Sequence, residues 1–411
     1  MSLAGDGVAA VSPAEAAPAL ARPGEASRAN PLLVLIVTGM VVALASLGFV
    51  AVAPNRIVSG KAVALWTAVE PGFAALVAAL VVALGLSAVI RSLVWRDRLT
   101  ALLAAALLVA CLAAAAHAAN LVTAASGPIA RTSLGAAFWI VAGGAAFALA
   151  DATGRLAPNP LVQALVALAL IAVLAALAIA GTFSDLSLAR EFANRRDAYW
   201  QEVGRHLALV GGALAGAVPL GALLGLAALR RPLWRKPLFA TLNLIQTVPS
   251  IAFFGLLIGP LTSLAGIFPL LRDFGVGGIG AAPAIIALTF YGLLPVARGT
   301  FTGLAAVPAP VIEAARGMGL DERQILTRVS IPLALPILVA ALRVVVVQLI
   351  GLTVVAALIG AGGLGAFIFQ GLGQTATDLI LLGALSAIAL ALIADLALRS
   401  LGAALTSGVR P

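Results

Sequence analysis

Four of the polar residues in a largely apolar run, Asn243, Gln246, Thr247 and Ser250, follow a spacing of three, one and three. Residues three and four apart on a helix are neighbours, so this spacing predicts one shared polar face. Amides and hydroxyls hydrogen-bond without carrying charge. Such a face can line a path for a polar solute or hold an adjacent helix, and both readings remain open. Pro249 lies in the same run and loosens the helix by removing a backbone donor. Tyr291, Arg343 and Gln348 are weaker candidates of the same kind. Arg343 sits about two turns from the end of its apolar run, within snorkelling range of headgroups. Asp395 is placed to pair with Arg399 one helical turn later.

A second constellation stands in a polar loop, residues 308–332. Pro310 suits the first turn of a helix, Gly317 and Gly319 can end it, and Asp321 with Gln324 forms a capping-box-like start to a second helix that Pro332 should terminate. The loop therefore reads as two short helices joined by a tight turn. Ala314 and Ala315 permit close approach of a partner, and Glu313 and Arg316 offer charged contacts at the rim. The chemistry here is docking, although a plain interhelical connection has the same outline.

Catalytic and cofactor chemistry finds little support. The only lysines are Lys61 and Lys236, and neither is followed by Ser or Thr, so no Walker A loop is present. Two strings fit G-x-G-x-x-G, at Gly275, Gly277, Gly280 and at Gly360, Gly362, Gly365. Neither opens a βαβ unit, and both read as tight turns near span ends. One cysteine, Cys111, and two distant histidines, His117 and His206, provide neither metal-ligand nor disulfide spacing. No cofactor, metal or catalytic residue is expected, and the protein is not expected to be an enzyme.

The elements that position these residues follow from composition. Of 411 residues, 62% are hydrophobic and 10% charged, against about 45–50% and about 25% in soluble domains. The apolar runs are continuous, which excludes a barrel and predicts an all-α, polytopic helical membrane protein of about ten transmembrane helices. The expected spans are 31–53, 72–90, 99–119, 133–150, 161–182, 207–229, 238–258, 283–298, 335–359 and 379–398. Basic residues cluster at 91–98 and 230–236, beside Trp95 and Trp234. This bias places both termini in the cytoplasm. The net charge of +9 comes from clusters at the ends of apolar runs, so lipid headgroups are the expected partner and nucleic acid is not. The organisation read here is a disordered cytoplasmic tail (1–30), a five-helix membrane block (31–183), an external interfacial segment (184–204) and a second membrane domain (205–411). In the interfacial segment Leu188, Phe192, Tyr199 and Val203 share a helical face. That face suits the membrane surface, and docking of an external partner is the alternative. Gly143 and Gly144 suit close helix packing in the block.

Glu313, Ala314, Ala315, then Gly319, then Val329, Ser330, Ile331 and Pro332 resemble the EAA loop of permease subunits in binding-protein-dependent ABC importers. The family pattern ends in Ile, any residue, Leu, Pro, so Val329 and Ile331 are conservative departures. The resemblance covers residues 206–411 and implies the type I (MetI-like) permease fold there. It also implies that Glu313, Ala314, Ala315, Arg316 and Gly319 couple to cytoplasmic ABC ATPase subunits. A periplasmic substrate-binding protein and a second permease subunit, either an identical copy or a shorter homologue, are the other implied partners. The implied location is a bacterial inner membrane. The stretches Gln246 to Ala252 and Ile359 to Gly365, together with the additional N-terminal block, are similar to the branch importing glycine betaine, choline and related osmoprotectants. The residues Asn243, Gln246, Thr247, Ser250 and Tyr291 are then candidates for the substrate pathway. An amino-acid or methionine importer of the same superfamily is the nearest alternative. A membrane scaffold or sensor, and a secondary transporter, are rivals from other classes.

Overall fold

The computed structural model describes residues 30–56, 58–90, 93–156, 160–273 and 276–406. The expected tail, apart from Asn30, lies outside them, as do Arg91 and Gly275. The first helix, α1 (Pro31–Ser46), has Pro31 in its first turn and is capped by Asn30, whose Oδ1 accepts from the Leu33 amide at 3.3 Å. It stops seven residues short of the expected Ala53. The chain instead enters strand β1 (Val50–Ala53), which pairs antiparallel with β2 (Lys61–Val63) and with β3 (Arg131–Leu134). Hydropathy alone merged β1 with the preceding helix, and merged the end of β3 with the fourth span. Gly48 admits this small sheet, because a Cβ there would lie 2.7 Å from Ala62 Cβ.

Short α2 (Leu65–Ala68) leads into α3 (Pro71–Ser87), α4 (Leu93–Ser126) and α5 (Ala136–Leu156). These helices and α1 share one core, with Met40, Val77, Leu107, Cys111 and Val141 buried. Of the Gly143–Gly144 pair, only Gly144 faces a neighbour, with Met40 Cε 2.6 Å from where its Cβ would be. The fifth helix of the expected block, α6 (Pro160–Ile179), stands apart from that core. None of its apolar window is buried, and it leans on the last helix, Thr377–Thr406.

The expected interfacial segment divides at Arg195, whose backbone is non-helical, into α7 (Ser187–Asn194) and the first turns of α8 (Arg196–Arg230). Its apolar face is not left for the membrane. Leu188, Phe192 and Tyr199 pack on Phe367, Ala376, Leu379 and Leu382.

The expected seventh span, 238–258, is two helices, α9 (Pro232–Thr247) and α10 (Ser250–Ile267). Val248 has ψ 129°, because the ring of Pro249 disfavours the helical conformation in the residue before it. Then follow α11 (Leu270–Asp273), α12 (Ala281–Ala305), α13 (Ala309–Gly317), α14 (Glu322–Gln324), α15 (Ile331–Ala356), α16 (Gly365–Gly373) and α17 (Thr377–Thr406). A six-residue π turn, Ile325–Ser330, joins α14 to α15. Pro332 therefore does not terminate a helix: the chain is helical from Glu322 to Ile359. The wider π turn sits just before a residue with no N–H to give.

The centre of the second half is α8 against α12 against α15, with Leu209, Leu288, Val345 and Leu349 buried between them. Among the described residues eight helices are long and apolar enough to cross a membrane. The shorter apolar helices α1 and α3, of 16 and 17 residues, rise about 24–26 Å against a hydrocarbon core of ~30 Å.

Candidate functional site

Two places carry the polar groups singled out by the sequence. At the first, the break between α9 and α10, two carbonyls lose their helical donors. Val248 O lies beyond the end of α9, and Tyr291 O faces Pro295, which has no N–H to offer four residues later. Each is satisfied across the gap. The Tyr291 hydroxyl donates to Val248 O at 2.6 Å, and Gln246 Nε2 donates to Tyr291 O at 2.8 Å. Gln246 and Tyr291 thus form a reciprocal clamp that holds the broken helix against α12.

The other candidates do not complete one four-residue stripe. Asn243 Oδ1 accepts from Arg298 Nη2 at 3.0 Å, exposed Thr247 bonds back to Leu244 O at 2.7 Å, and Ser250 belongs to the next helix. Asn243, Gln246 and Thr247 stay together on α9, and Ser250 leaves their expected common face because the helix does not continue through Pro249. Tyr291→Phe leaves Val248 O without its partner, at a cost of about 1–3 kcal/mol. A lowered unfolding midpoint in detergent, with Gln246→Leu also destabilising, is the expected outcome.

The second place is the loop at the other end of α12. Its turn is a Schellman motif. Gly319 has φ +85°, Leu320 N donates to Ala315 O at 3.2 Å, and Gly319 N donates to Arg316 O at 2.9 Å. The capping box also forms, with Gln324 N donating to Asp321 Oδ1 at 2.7 Å and Gln324 Oε1 accepting from Asp321 N at 3.0 Å. Glu313, Ala314 and Gly319 are exposed, Met318 is 73% exposed, and Ala315 is buried against the protein itself. Of the two alanines only Ala314 therefore offers close approach. Arg316 is held to Glu322 by two bonds, at 2.7 and 3.0 Å. It braces the turn from one side.

Sequence reasoning missed a third feature, at the opposite end of α15. Gly360, Gly362 and Gly363 all have positive φ, so the second glycine string is the tight turn expected of it. Two side chains of α8 hold that turn. The Glu202 carboxylate accepts from Gly363 N, and His206 Nδ1 accepts from Leu364 N at 3.3 Å. With Nδ1 accepting, Nε2 carries the proton and donates to Ile350 O at 3.2 Å. The glycine run was the signal available, but nothing in spacing ties residues 202 and 206 to 363. Arg343 also differs from expectation. It pairs with Asp395 of α17 instead of snorkelling, and Arg399 joins the same carboxylate at 2.8 Å.

Both halves of the chain have relatives. Residues 217–410 match the family described as binding-protein-dependent transport system inner membrane component. Residues 27–189 match the N-terminal domain of the ABC transporter permease YehY. The chain is 39% identical over 207 residues to the osmoprotectant import permease protein OsmW of Salmonella typhimurium, covering 50% of this chain and 91% of that protein. It is 40% identical over 207 residues to the carnitine transport permease protein OpuCB of Listeria monocytogenes, covering 50% and 86%. It is also 36% identical over 179 residues to the choline transport system permease protein OpuBB of Bacillus subtilis, covering 44% and 73%. With a MetI-like helical domain behind an additional N-terminal membrane domain, the chain belongs to the binding-protein-dependent transport system inner membrane components and is a multi-pass ABC importer permease.

Proposed function

We propose that this permease imports a small osmoprotectant such as glycine betaine or choline, driven by ATP hydrolysis in cytoplasmic ABC ATPase subunits that receive the 309–324 knob. The observation that carries the coupling role is the knob's geometry: a short helix ended by a Schellman turn, with Glu313, Ala314, Met318 and Gly319 turned outward from the helices. The substrate class rests on the names of the relatives. Two permease subunits, one per ATPase, and an external binding protein complete the importer. In the membrane domain, the α9–α10 break clamped by Gln246 and Tyr291 is the pathway element, with Thr247 and Ser250 flanking it. Residues 31–183 brace the permease and stay outside its pathway, since their buried residues are mostly apolar, with Ser87, Arg96, Asp97, Thr100 and Thr132 the exceptions among the described residues.

The deciding experiment is reconstitution of the chain with its ATPase and binding protein, measuring uptake and substrate-stimulated hydrolysis. Glycine betaine or choline should stimulate both, and methionine or another amino acid doing so alone would replace the substrate assignment. The orientation, with both termini cytoplasmic in a bacterial inner membrane, predicts its own result. Cysteines placed at the exposed positions Ser59, Ser184 and Thr377 should react with an impermeant thiol reagent from outside. Cysteines at Lys236 and Arg323 should react only after permeabilisation, against a background in which Cys111 is buried. The reverse pattern would invert the topology.

A further inference from the structure

At the end of the helices opposite the 308–332 loop, the N-terminal block, the 184–204 segment and the permease meet through polar side chains. Arg56 pairs with Glu191 at 2.8 Å and donates to Gln374 Oε1 at 3.3 Å, Arg195 donates to Gln370 Oε1 at 3.0 Å, and Ser133 donates to Asp378 Oδ2 at 2.6 Å. Between these contacts lies a cavity of about 250 Å³, lined by Arg56, Arg131, Ser133, Glu191, Thr377 and Asp378 among others. The volume is well above that needed for a single water.

The charges around it are not equally engaged. Arg56 and Glu191 serve each other, and Glu191, 3% exposed, also meets Arg195 at 3.6 Å. Arg131 Nη1 and Asp378 Oδ1 are different: both are buried, and neither has a hydrogen-bond partner among the described residues. One is a cationic donor from β3, the other an anionic acceptor from the first turn of α17. They form no ion pair with each other within 4.0 Å. Buried charged groups left in this condition are costly, and a ligand that satisfies both recovers that cost. The ligand must present a carboxylate to the guanidinium and an N–H-bearing ammonium to the carboxylate. Among the described residues no aromatic ring lines the cavity, so it lacks the faces that recognise a fully methylated ammonium.

We propose that this cavity binds a small zwitterion carrying both a carboxylate and an N–H ammonium, a free amino acid of glycine type, bridging the N-terminal block and the permease. The site is distinct from the transport pathway, and its assignment does not rest on the importer's substrate. Its chemistry excludes trimethylglycine as a good ligand, because Asp378 Oδ1 then has no donor to accept from.

The test uses the full chain purified in detergent, where both faces are accessible. Glycine should raise the unfolding midpoint saturably, by a few degrees at about ten times its dissociation constant. Acetate and methylammonium, each matching one charge, should not. Trimethylglycine should bind at least tenfold more weakly than glycine. Arg131→Gln and Asp378→Asn should each weaken the glycine response at least tenfold, while Ser133→Ala, which loosens the junction without removing either charge, should keep it. Absence of a saturable glycine shift, an equal response to trimethylglycine, or an unchanged response in Arg131→Gln would each overturn the proposal. The ligand series on the unaltered protein decides the matter even if a variant fails to fold.

Discussion

Replacing Gly319 by valine is expected to reduce uptake at least tenfold while leaving the amount of inserted, folded permease unchanged. The residue has φ +85°, and a Cβ built there meets no atom within 4 Å. The substitution therefore introduces no clash with the rest of the fold. Its cost is the left-handed backbone itself, of order 1–3 kcal/mol and steepest for a β-branched side chain. That strain falls on the bonds from Leu320 N to Ala315 O and from Gly319 N to Arg316 O. The angle between α13 and the capped turn at Asp321 is set by these bonds, so the 309–324 knob changes shape while the membrane helices do not. Gly319→Asn, which tolerates the left-handed region, should lose much less. Uptake per inserted permease, measured for the three proteins in parallel, checks this. Normal transport by the valine variant would remove the docking role from the loop.

Gly299→Val should have the larger effect on the fold and leave little monodisperse protein after extraction. Gly299 lies where α12 crosses α15, and a Cβ there would sit 2.1 Å from Ala341 Cβ. Alanine has no rotamer to move aside, so the two helix backbones must separate and strain the packing of Gly292 and Val345 nearby. Overpacking of a well-filled interior usually costs about 1–3 kcal/mol, and an overlap this deep belongs above that range. Gly303→Ala, one turn along, is the control. Its Cβ would meet Ala334 and Ile337 at 3.4 Å, an ordinary contact, so it should extract and unfold much as the parent does. If Gly299→Val proves as stable as Gly303→Ala, the close crossing of α12 and α15 is wrong.

The spans were legible because bilayer burial demands continuous apolar length: nine of the ten expected runs each coincide with one helix over most of their length, and the seventh divides between α9 and α10. What hydropathy could not show was where an apolar run changes conformation. Val50 to Ala53 is as apolar as the helix before it yet pairs as a strand, and Val248 and Pro249 interrupt a run whose composition never changes. The loop was legible for a different reason. Glycine at 319 and the Asp321–Gln324 pair encode their turn and cap locally, within a few residues. Pro332 was misread because the π turn that accommodates it is a matter of backbone register and leaves no mark in residue type. Long-range polar contacts were the least legible. Arg298 with Asn243, Glu202 with the turn at Gly363, and Ser133 with Asp378 join residues 55, 161 and 245 apart, and periodicity carries no information about such pairs. The partner of Gln246 was hidden on the same ground, since it is a carbonyl that Pro295 leaves open on another helix.

The continuous helix from Glu322 to Ile359, 38 residues and so about 57 Å long, is in mechanical terms a strut with one compliant end. Its soft segment lies beside the knob, where the π turn at Ile325–Ser330 is followed by Pro332 and Pro336. Bends in helices concentrate at such places. A sideways push delivered to the knob is absorbed there as flexure, whereas an axial push has no comparable outlet before the glycine turn at the far end. The strut therefore filters direction: tilt is dissipated near the knob, and displacement along the axis arrives at the turn held by Glu202 and His206.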